Sequence, residues 1–130
     1  MACYIAWATD DEIRKKGTSG GFVTATLVSA LENDLIDAAL VVKRIDVYEG
    51  IPILTSDPEE VKSCAGSFHA VPVNLTKYVD PDLRIGMPAK PCDARGVIEQ
   101  AKRLQIDLVK VFLIGLNCSG TMLPLAMRDM

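Results

Sequence analysis

Hydrophobic residues in this chain form short continuous runs, which alternate with segments of helical spacing. The runs AALVVK after Ile36, LRIGMP before Ala89 and LVKVFLIGLN after Asp107 have the length of strands. Because these runs are continuous rather than alternating, they predict strands covered on both faces. The opening CYIAWA and a shorter run that ends in ILT predict two further strands.

Three segments between these runs predict helices. The first helix follows a pair of glycines and is capped by Thr18 or Ser19. Its apolar stripe consists of Phe22, Val23, Leu27, Val28 and Leu31. A second helix starts at Pro58, after a capping Ser56 or Asp57. The third lies in CDARGVIEQAKRLQ, and the residues expected to point inward are Val97, Ile98, Ala101 and Leu104.

The alternation of strands and helices predicts an α/β fold, with a mostly parallel or mixed sheet and flanking helices. A length of 130 residues, 49% of them hydrophobic, fits one domain spanning residues 1–130. The last segment, LPLAMRDM, begins a helix directly after a strand. We therefore expect the chain to be the N-terminal portion of a longer protein, truncated at its C-terminus.

Charge and hydropathy narrow the range of partners. A formal net charge of −3 gives no general attraction for phosphate backbones and argues against nucleic acid. No apolar run reaches the ~18 residues of a membrane-spanning helix, so no membrane partner is expected. The N-terminus MACYIAWATDDE lacks a basic leader before an apolar stretch, which predicts a cytoplasmic protein with reduced thiols.

Two of the four cysteines stand where ligand sites form. Cys92 and Cys118 each directly follow a predicted strand, and the carboxyl ends of parallel strands share one edge of the sheet. Cys92 also follows Pro91 at a helix start, near Lys90 and Arg95, a setting that favours the thiolate. These thiols are candidates for metal or cluster ligands, redox groups or a nucleophile, or they have no chemistry at all. A nucleophile needs a base, and the only histidine, His69, is far away in sequence.

The segment GTSGGFVT at residues 17–24 is a second candidate site. Its glycines, its hydroxyls and the following helix start are suited to binding a phosphate. It matches neither the GxGxxG nor the P-loop pattern, so taken alone the segment favours a plain tight turn over a phosphate site.

Four blocks in order carry a resemblance to a known family: ATDDEIRKKGTSGGFVTA, DPEEVKSCAGSFH, PAKPCDARGVIEQAKR and IGLNCSGT. The chain resembles the N-terminal part of the beta subunits of coenzyme F420-dependent dehydrogenases and hydrogenases, above all the formate dehydrogenase type. That resemblance implies an iron–sulfur flavoprotein that passes electrons through a 4Fe-4S cluster and FAD to coenzyme F420 as hydride. It also implies a catalytic alpha subunit as partner, which oxidises formate or hydrogen.

The resemblance also assigns roles to residues. Ser19, Gly20, Gly21 and Thr24 match the glycine-rich loop beside the flavin, and Gly66, Ser67 and His69 lie in a second matching block. With Thr18 and Lys90 added, the residues expected to bind cofactors are Thr18, Ser19, Gly20, Gly21, Thr24, Gly66, Ser67, His69 and Lys90. Cys92 and Cys118 match two cluster ligands. Hydride transfer itself belongs to the flavin, so no side chain is assigned to it.

One departure from the family pattern keeps a second interpretation open. The family's other cluster cysteines lie farther along, as does the ferredoxin-like region of the formate dehydrogenase type, and this chain ends before both. Cys64, Cys3 or another chain would have to complete the ligand set. The alternative is therefore a cofactor-free fragment or interaction module with the same fold and no redox activity. A cysteine-dependent hydrolase or transferase using Cys92 is the third class.

Overall fold

The computed structural model describes residues 2–17, 20–46, 49–66 and 73–118. In chain order, the helices and strands are α1 (Asp11–Lys16), α2 (Phe22–Glu32), β1 (Ala38–Asp46), β2 (Glu49–Thr55), α3 (Pro58–Ser63), β3 (Ile85–Ala89), α4 (Pro91–Lys102) and β4 (Val111–Gly115). Single 3-10 turns lie at Thr76–Tyr78 and Leu108–Lys110. The predicted terminal helix LPLAMRDM lies outside the described residues.

The four strands form one mixed sheet in the order β2-β1-β3-β4. β1 pairs antiparallel with β2, whereas β3 runs parallel to both β1 and β4. The ladder between β1 and β3 is short, with only the pairs Ala38–Ile85 and Ala39–Gly86, whereas β3 and β4 pair over five positions. The predicted α/β class with a mixed sheet is confirmed.

The side chains of each strand alternate between the two faces of the sheet, and helices cover both faces. On one face, α2 and α3 pack Leu27, Val28 and Val61 against Ala39 and Val41 of β1. On the other face, α4 contributes Val97 to a second cluster, whose buried members are Leu40, Leu75, Ile85, Met87 and Val97. The sheet is thus the middle layer of three.

The N-terminal segment differs from its prediction. Residues 2–8 form no strand, and Tyr4 and Ile5 expose 87% and 91% of their surface. Instead of joining the sheet, the segment is held by the Ala8 N–H, which donates to the Gly20 carbonyl at 2.7 Å. The apolar composition of CYIAWA favours a strand, but without a neighbouring strand the pairing cannot form. The polar stretch that follows contains α1, capped by the Asp10 carboxylate.

Two details of the predicted helices were wrong. The N-cap of α2 is Gly21, not Thr18 or Ser19, both of which lie outside the described residues. In α4, Val97 is fully buried as expected, but Ile98 is 44% exposed. The helix ends at Lys102, and Leu104 beyond it takes a positive φ of 61° and is 91% exposed. Because the helix ends before Leu104, this side chain no longer faces the core.

The last described strand is less buried than its sequence predicts. β4 lies at the edge of the sheet formed by the described strands, where Phe112 remains about half exposed and Ile114 is only partly buried against the first core cluster. An edge strand has one neighbour, so a continuous apolar run does not guarantee burial. No helix among the described residues combines the length and the apolar character needed to cross a membrane.

Candidate functional site

The two cysteines that the sequence singles out lie at the same edge of the sheet. β3 and β4 run parallel and pair over their whole length. One further hydrogen bond follows the last pair, from the Leu116 N–H to the Ala89 carbonyl at 2.8 Å. Cys92 is the second residue of α4, directly after β3, and Cys118 follows β4 by three residues. Both thiols are exposed. The topology therefore places both at the carboxyl ends of neighbouring parallel strands.

The first turn of α4 is built on a buried ion pair. Asp93 has no exposed surface, and its Oδ2 accepts hydrogen bonds from the Lys90 backbone N–H at 3.0 Å and from Lys90 Nζ at 2.8 Å. The other oxygen, Oδ1, accepts the Leu75 N–H at 2.8 Å. Lys90 Nζ donates also to the Val73 carbonyl at 2.9 Å. The ammonium of Lys90, predicted to bind a cofactor, thus contacts groups of the chain itself.

The same helix is held to the segment before β3 by a close backbone approach. Thr76 Oγ1 donates to the carbonyl of Asp93 at 3.2 Å, and Gln100 Nε2 donates to the carbonyl of Thr76 at 3.2 Å. A Cβ atom built on Gly96 would lie 2.7 Å from Thr76 Cγ2, so only glycine allows this approach. Residues 73–76 and α4 therefore form one packed unit beside Cys92.

The glycine loop before α2 is shaped by contacts within the chain. Gly20 and Gly21 have positive φ values of 78° and 72°, which favour glycine. A Cβ on Gly20 would lie 2.8 Å from Trp7 Cβ, and one on Gly21 would lie 2.6 Å from the Ile13 carbonyl oxygen. Both positions are thus required for packing, whatever the loop binds.

The N-terminus of α2 points towards the same edge as the cysteines. A connection of five residues, 33–37, joins α2 to β1, so the chain reverses and α2 begins near the end towards which the parallel strands run. Thr24, predicted to bind a cofactor, lies in the first turn and is almost fully buried. The glycine loop and both cysteines therefore share one end of the molecule, with α2 and α4 on opposite faces.

Cys64 has a different environment from the other cysteines. It caps the C-terminus of α3 and packs against the core cluster between the sheet and α2. Burial raises the pKa of the Cys64 thiol, outweighing the hydrogen-bond contact with Ser63 Oγ at 3.9 Å. The uncharged thiol is therefore favoured at this position. Gly66, two residues later, has a positive φ of 113°.

Four of the predicted site residues, Thr18, Ser19, Ser67 and His69, lie outside the described residues. Within the described ranges, no three His, Cys, Asp or Glu side chains are grouped closely enough to hold a metal ion. The structure thus places Cys92 and Cys118 at one edge without adding further ligands there.

Asp93 is the residue that the sequence analysis missed. Its only local signal is an acidic side chain in the first turn of a helix that starts with proline, a common pattern at exposed helix ends. Its burial depends on Leu75, 18 residues earlier, and no spacing rule connects the two positions.

Comparison with known proteins gives one family. Residues 3–80 match the family model described as coenzyme F420 hydrogenase/dehydrogenase, beta subunit N-term. Over 98% of its length, the chain is 40% identical to the F420-dependent formate dehydrogenase 1 subunit beta of Methanococcus maripaludis. Over its whole length, it is 42% identical to the F420-dependent formate dehydrogenase subunit beta of Methanocaldococcus jannaschii. It spans 34% and 35% of these two relatives, about a third of each.

A solved structure has the same fold. A chain of the F420-reducing [NiFe] hydrogenase complex from Methanosarcina barkeri superposes with a TM-score of 0.76 and 24% identity. The match covers 95% of this chain and 46% of that one. The three-layer arrangement around the mixed sheet is therefore found in a solved protein.

Proposed function

Since the chain belongs to the coenzyme F420 hydrogenase/dehydrogenase beta-subunit family, we propose that it is the N-terminal part of an electron-transfer subunit that reduces coenzyme F420. The observation that carries the proposal is the placement of Cys92 and Cys118 on neighbouring strand ends, in a chain that matches formate dehydrogenase beta subunits over at least 98% of its length. The proposed electron donor is formate, through a catalytic alpha subunit.

The proposed cofactors are a 4Fe-4S cluster and FAD. Two exposed thiols at one edge of a sheet fit half of a cluster's four-thiolate ligand set. When bound, the cluster and the flavin supply one-electron transfer and hydride transfer respectively. Cys64 packs into the core as an uncharged thiol, so we expect the other ligands to come from elsewhere.

The glycine loop is the proposed flavin-binding element. Its backbone lies at the N-terminus of an 11-residue helix, where unpaired N–H groups and the helix dipole favour a pyrophosphate. The residues proposed to contact the flavin or coenzyme F420 are Thr18, Ser19, Gly20, Gly21, Thr24, Gly66, Ser67 and His69. Their role in this chain is to hold the two ring systems together and to exclude water.

We further propose that residues 1–130 form one domain of a longer cytoplasmic protein. The relatives' chains are about three times as long, which supports further segments that would carry the remaining cluster ligands. We expect the isolated domain to bind flavin more readily than a complete cluster.

Anaerobic reconstitution tests the proposal. The chain is incubated with FAD, iron and sulfide, desalted, and titrated with reduced coenzyme F420 while the flavin absorbance is recorded. Retained flavin that bleaches in the titration supports the proposed function. The variants Cys92→Ser and Cys118→Ser should lose iron, whereas Cys64→Ser, at the cysteine that packs into the core, is the control.

The alternative is a cofactor-free interaction module, and the packing of the glycine loop favours it. Gly20 and Gly21 are explained by contacts with Trp7 and Ile13, with no ligand required. Neither flavin nor iron retained after reconstitution would support this alternative and contradict the proposal for these residues.

A further inference from the structure

The proposed function gives no role to the buried ion pair between Lys90 and Asp93. Asp93 and Lys90 flank the Pro91–Cys92 step, and their side chains are 1% and 25% exposed. Together they make hydrogen bonds to Val73 and Leu75, which come from a segment 17 to 18 residues earlier in the chain. Burying a carboxylate is costly unless it is paired and hydrogen-bonded. Helix capping alone does not explain why the pair is buried, because an exposed acidic side chain would also cap the helix.

The geometry of α4 supplies such a reason. Successive residues of a helix lie about 100° apart around its axis. Asp93 and Val97, four positions apart, are both fully buried, so together they fix the rotation of the helix. Cys92 is the residue next to Asp93 and is exposed. The direction in which Cys92 leaves the helix is thus determined by the anchored side chain beside it.

We infer that Lys90 and Asp93 are positioning residues for Cys92. Their ion pair, with its bonds to Val73 and Leu75, locks the first turn of α4 to residues 73–76 and orients the thiol towards the edge shared with Cys118. The inference rests on the proposed function, in which Cys92 binds the cluster. Lys90 and Asp93 act through Cys92 and do not themselves contact the cofactor.

Two variants separate positioning from simple charge. Asp93→Asn keeps an oxygen for the Leu75 N–H but presents an amide to Lys90, and Lys90→Met keeps the aliphatic stem without the ammonium. If the charges acted only through space, the two variants would change the reactivity of the Cys92 thiolate in opposite directions. Loss of positioning changes it in the same direction in both. Asp57→Ala, which removes the carboxylate cap of α3, is the matched control for stability.

The first measurement uses the reduced, metal-free chain. Iodoacetamide alkylation is followed by mass spectrometry, at a pH high enough for the rates to reach their plateau, with Cys3 as the internal reference. The inference predicts that the Cys92-to-Cys3 ratio shifts in the same direction in Asp93→Asn and Lys90→Met. The ratio should stay unchanged in Asp57→Ala and close to wild type in Lys90→Arg. An unchanged ratio in both test variants, or opposite shifts, overturns the inference.

The second measurement uses iron and sulfide. Competition with a chelator should show that iron binds about 10-fold or more weakly in both test variants. If wild type itself retains no iron, the proposed cluster fails, yet the alkylation ratio still decides whether the pair positions Cys92. If Asp93→Asn does not fold by circular dichroism, Lys90→Gln decides in its place, because it lacks the charge as Lys90→Met does but can still donate a hydrogen bond. A ratio closer to wild type than that of Lys90→Met supports positioning, and equal shifts in the two variants overturn it.

Discussion

Gly96 of α4 lies directly against Thr76, so that a Cβ atom at position 96 would overlap three atoms of the threonine side chain. Thr76 cannot retreat freely, because its hydroxyl donates to the Asp93 carbonyl and its own carbonyl accepts from Gln100. The two residues set the distance between α4 and the segment that precedes β3.

Gly96→Ala should therefore destabilise the protein. Replacing a helical glycine by alanine normally gains about 1 kcal/mol of helix propensity, but forcing a methyl group into a packed contact costs about 1–3 kcal/mol. We expect the cost of the overlap to exceed the gain in helix propensity, so the free energy of unfolding measured in urea should fall. Gly115→Ala is the control, since no described atom lies within 4 Å of its added Cβ. Equal unfolding midpoints for the two variants would contradict the prediction.

Asp93→Ala should cause a larger loss. It leaves the Leu75 N–H and the Lys90 ammonium without their shared acceptor, and breaking a buried pair costs about 3–5 kcal/mol. Because Lys90 keeps some contact with water, we expect the lower end of that range. Asp57→Ala should cost only about 1 kcal/mol, as typical of an exposed cap. Urea unfolding of both variants measures the difference, and similar losses would show that Asp93 is no more than a cap.

Leu104→Gly should stabilise the protein. Leu104 adopts the left-handed conformation just beyond α4, which costs a non-glycine residue about 1–2 kcal/mol, and its side chain is too exposed to lose much burial. Part of the gain is offset by the greater entropy of glycine in the unfolded chain, which leaves about 0.5–1 kcal/mol. Thermal unfolding measures the change. Arg103→Gly, at a negative φ, should not raise the melting temperature.

Asp37 should make the free energy of unfolding depend on pH in the acid range. Hydrogen bonds from the Arg84 side chain, and then from its backbone N–H, hold the pKa of the Asp37 carboxyl below its ordinary value of 3.8. A lowered pKa in the folded state stabilises the protein above pH 3.8, and that contribution is lost as the pH falls through the folded-state pKa. The difference in unfolding free energy between wild type and Asp37→Asn should therefore shrink in acid. A difference that stays constant from neutral pH into acid would contradict the prediction.

Cys64 should be the slowest of the four cysteines to react in the native protein. Burial raises the pKa of its thiol, and the attacking form is the thiolate. Timed alkylation near neutral pH, analysed peptide by peptide, should label Cys3, Cys92 and Cys118 before Cys64. In urea the four rates should converge. A native rate at Cys64 equal to that at Cys92 would contradict its placement in the core.

The sequence predicted features whose cause is local, and it failed where the cause is distant. Pro58 after Asp57 marks the start of α3 through the covalent geometry of proline and a nearby cap, and AALVVK forms β1 because both faces are covered. The exposed N-terminal segment has similar apolar character but no strand beside it, and composition cannot reveal that. Asp93 looks like any acid at a helix start until Leu75 is brought to it by the fold. The placement of Cys92 and Cys118 at one edge of the sheet was predictable because parallel strands share an edge, whereas the buried partners of Asp93 were not.

The two-pair ladder between β1 and β3 divides the sheet into two plates, one made of β2 and β1 and the other of β3 and β4. At one corner, Arg84 and Asp37 join the plates through backbone hydrogen bonds and a side-chain ion pair. This corner lies at the end opposite to Cys92 and Cys118. Away from this corner, β1 is held to β3 by the buried packing of Leu40 against Ile85 and Met87, so side chains and not backbone pairing keep the two plates together towards the thiol-bearing end.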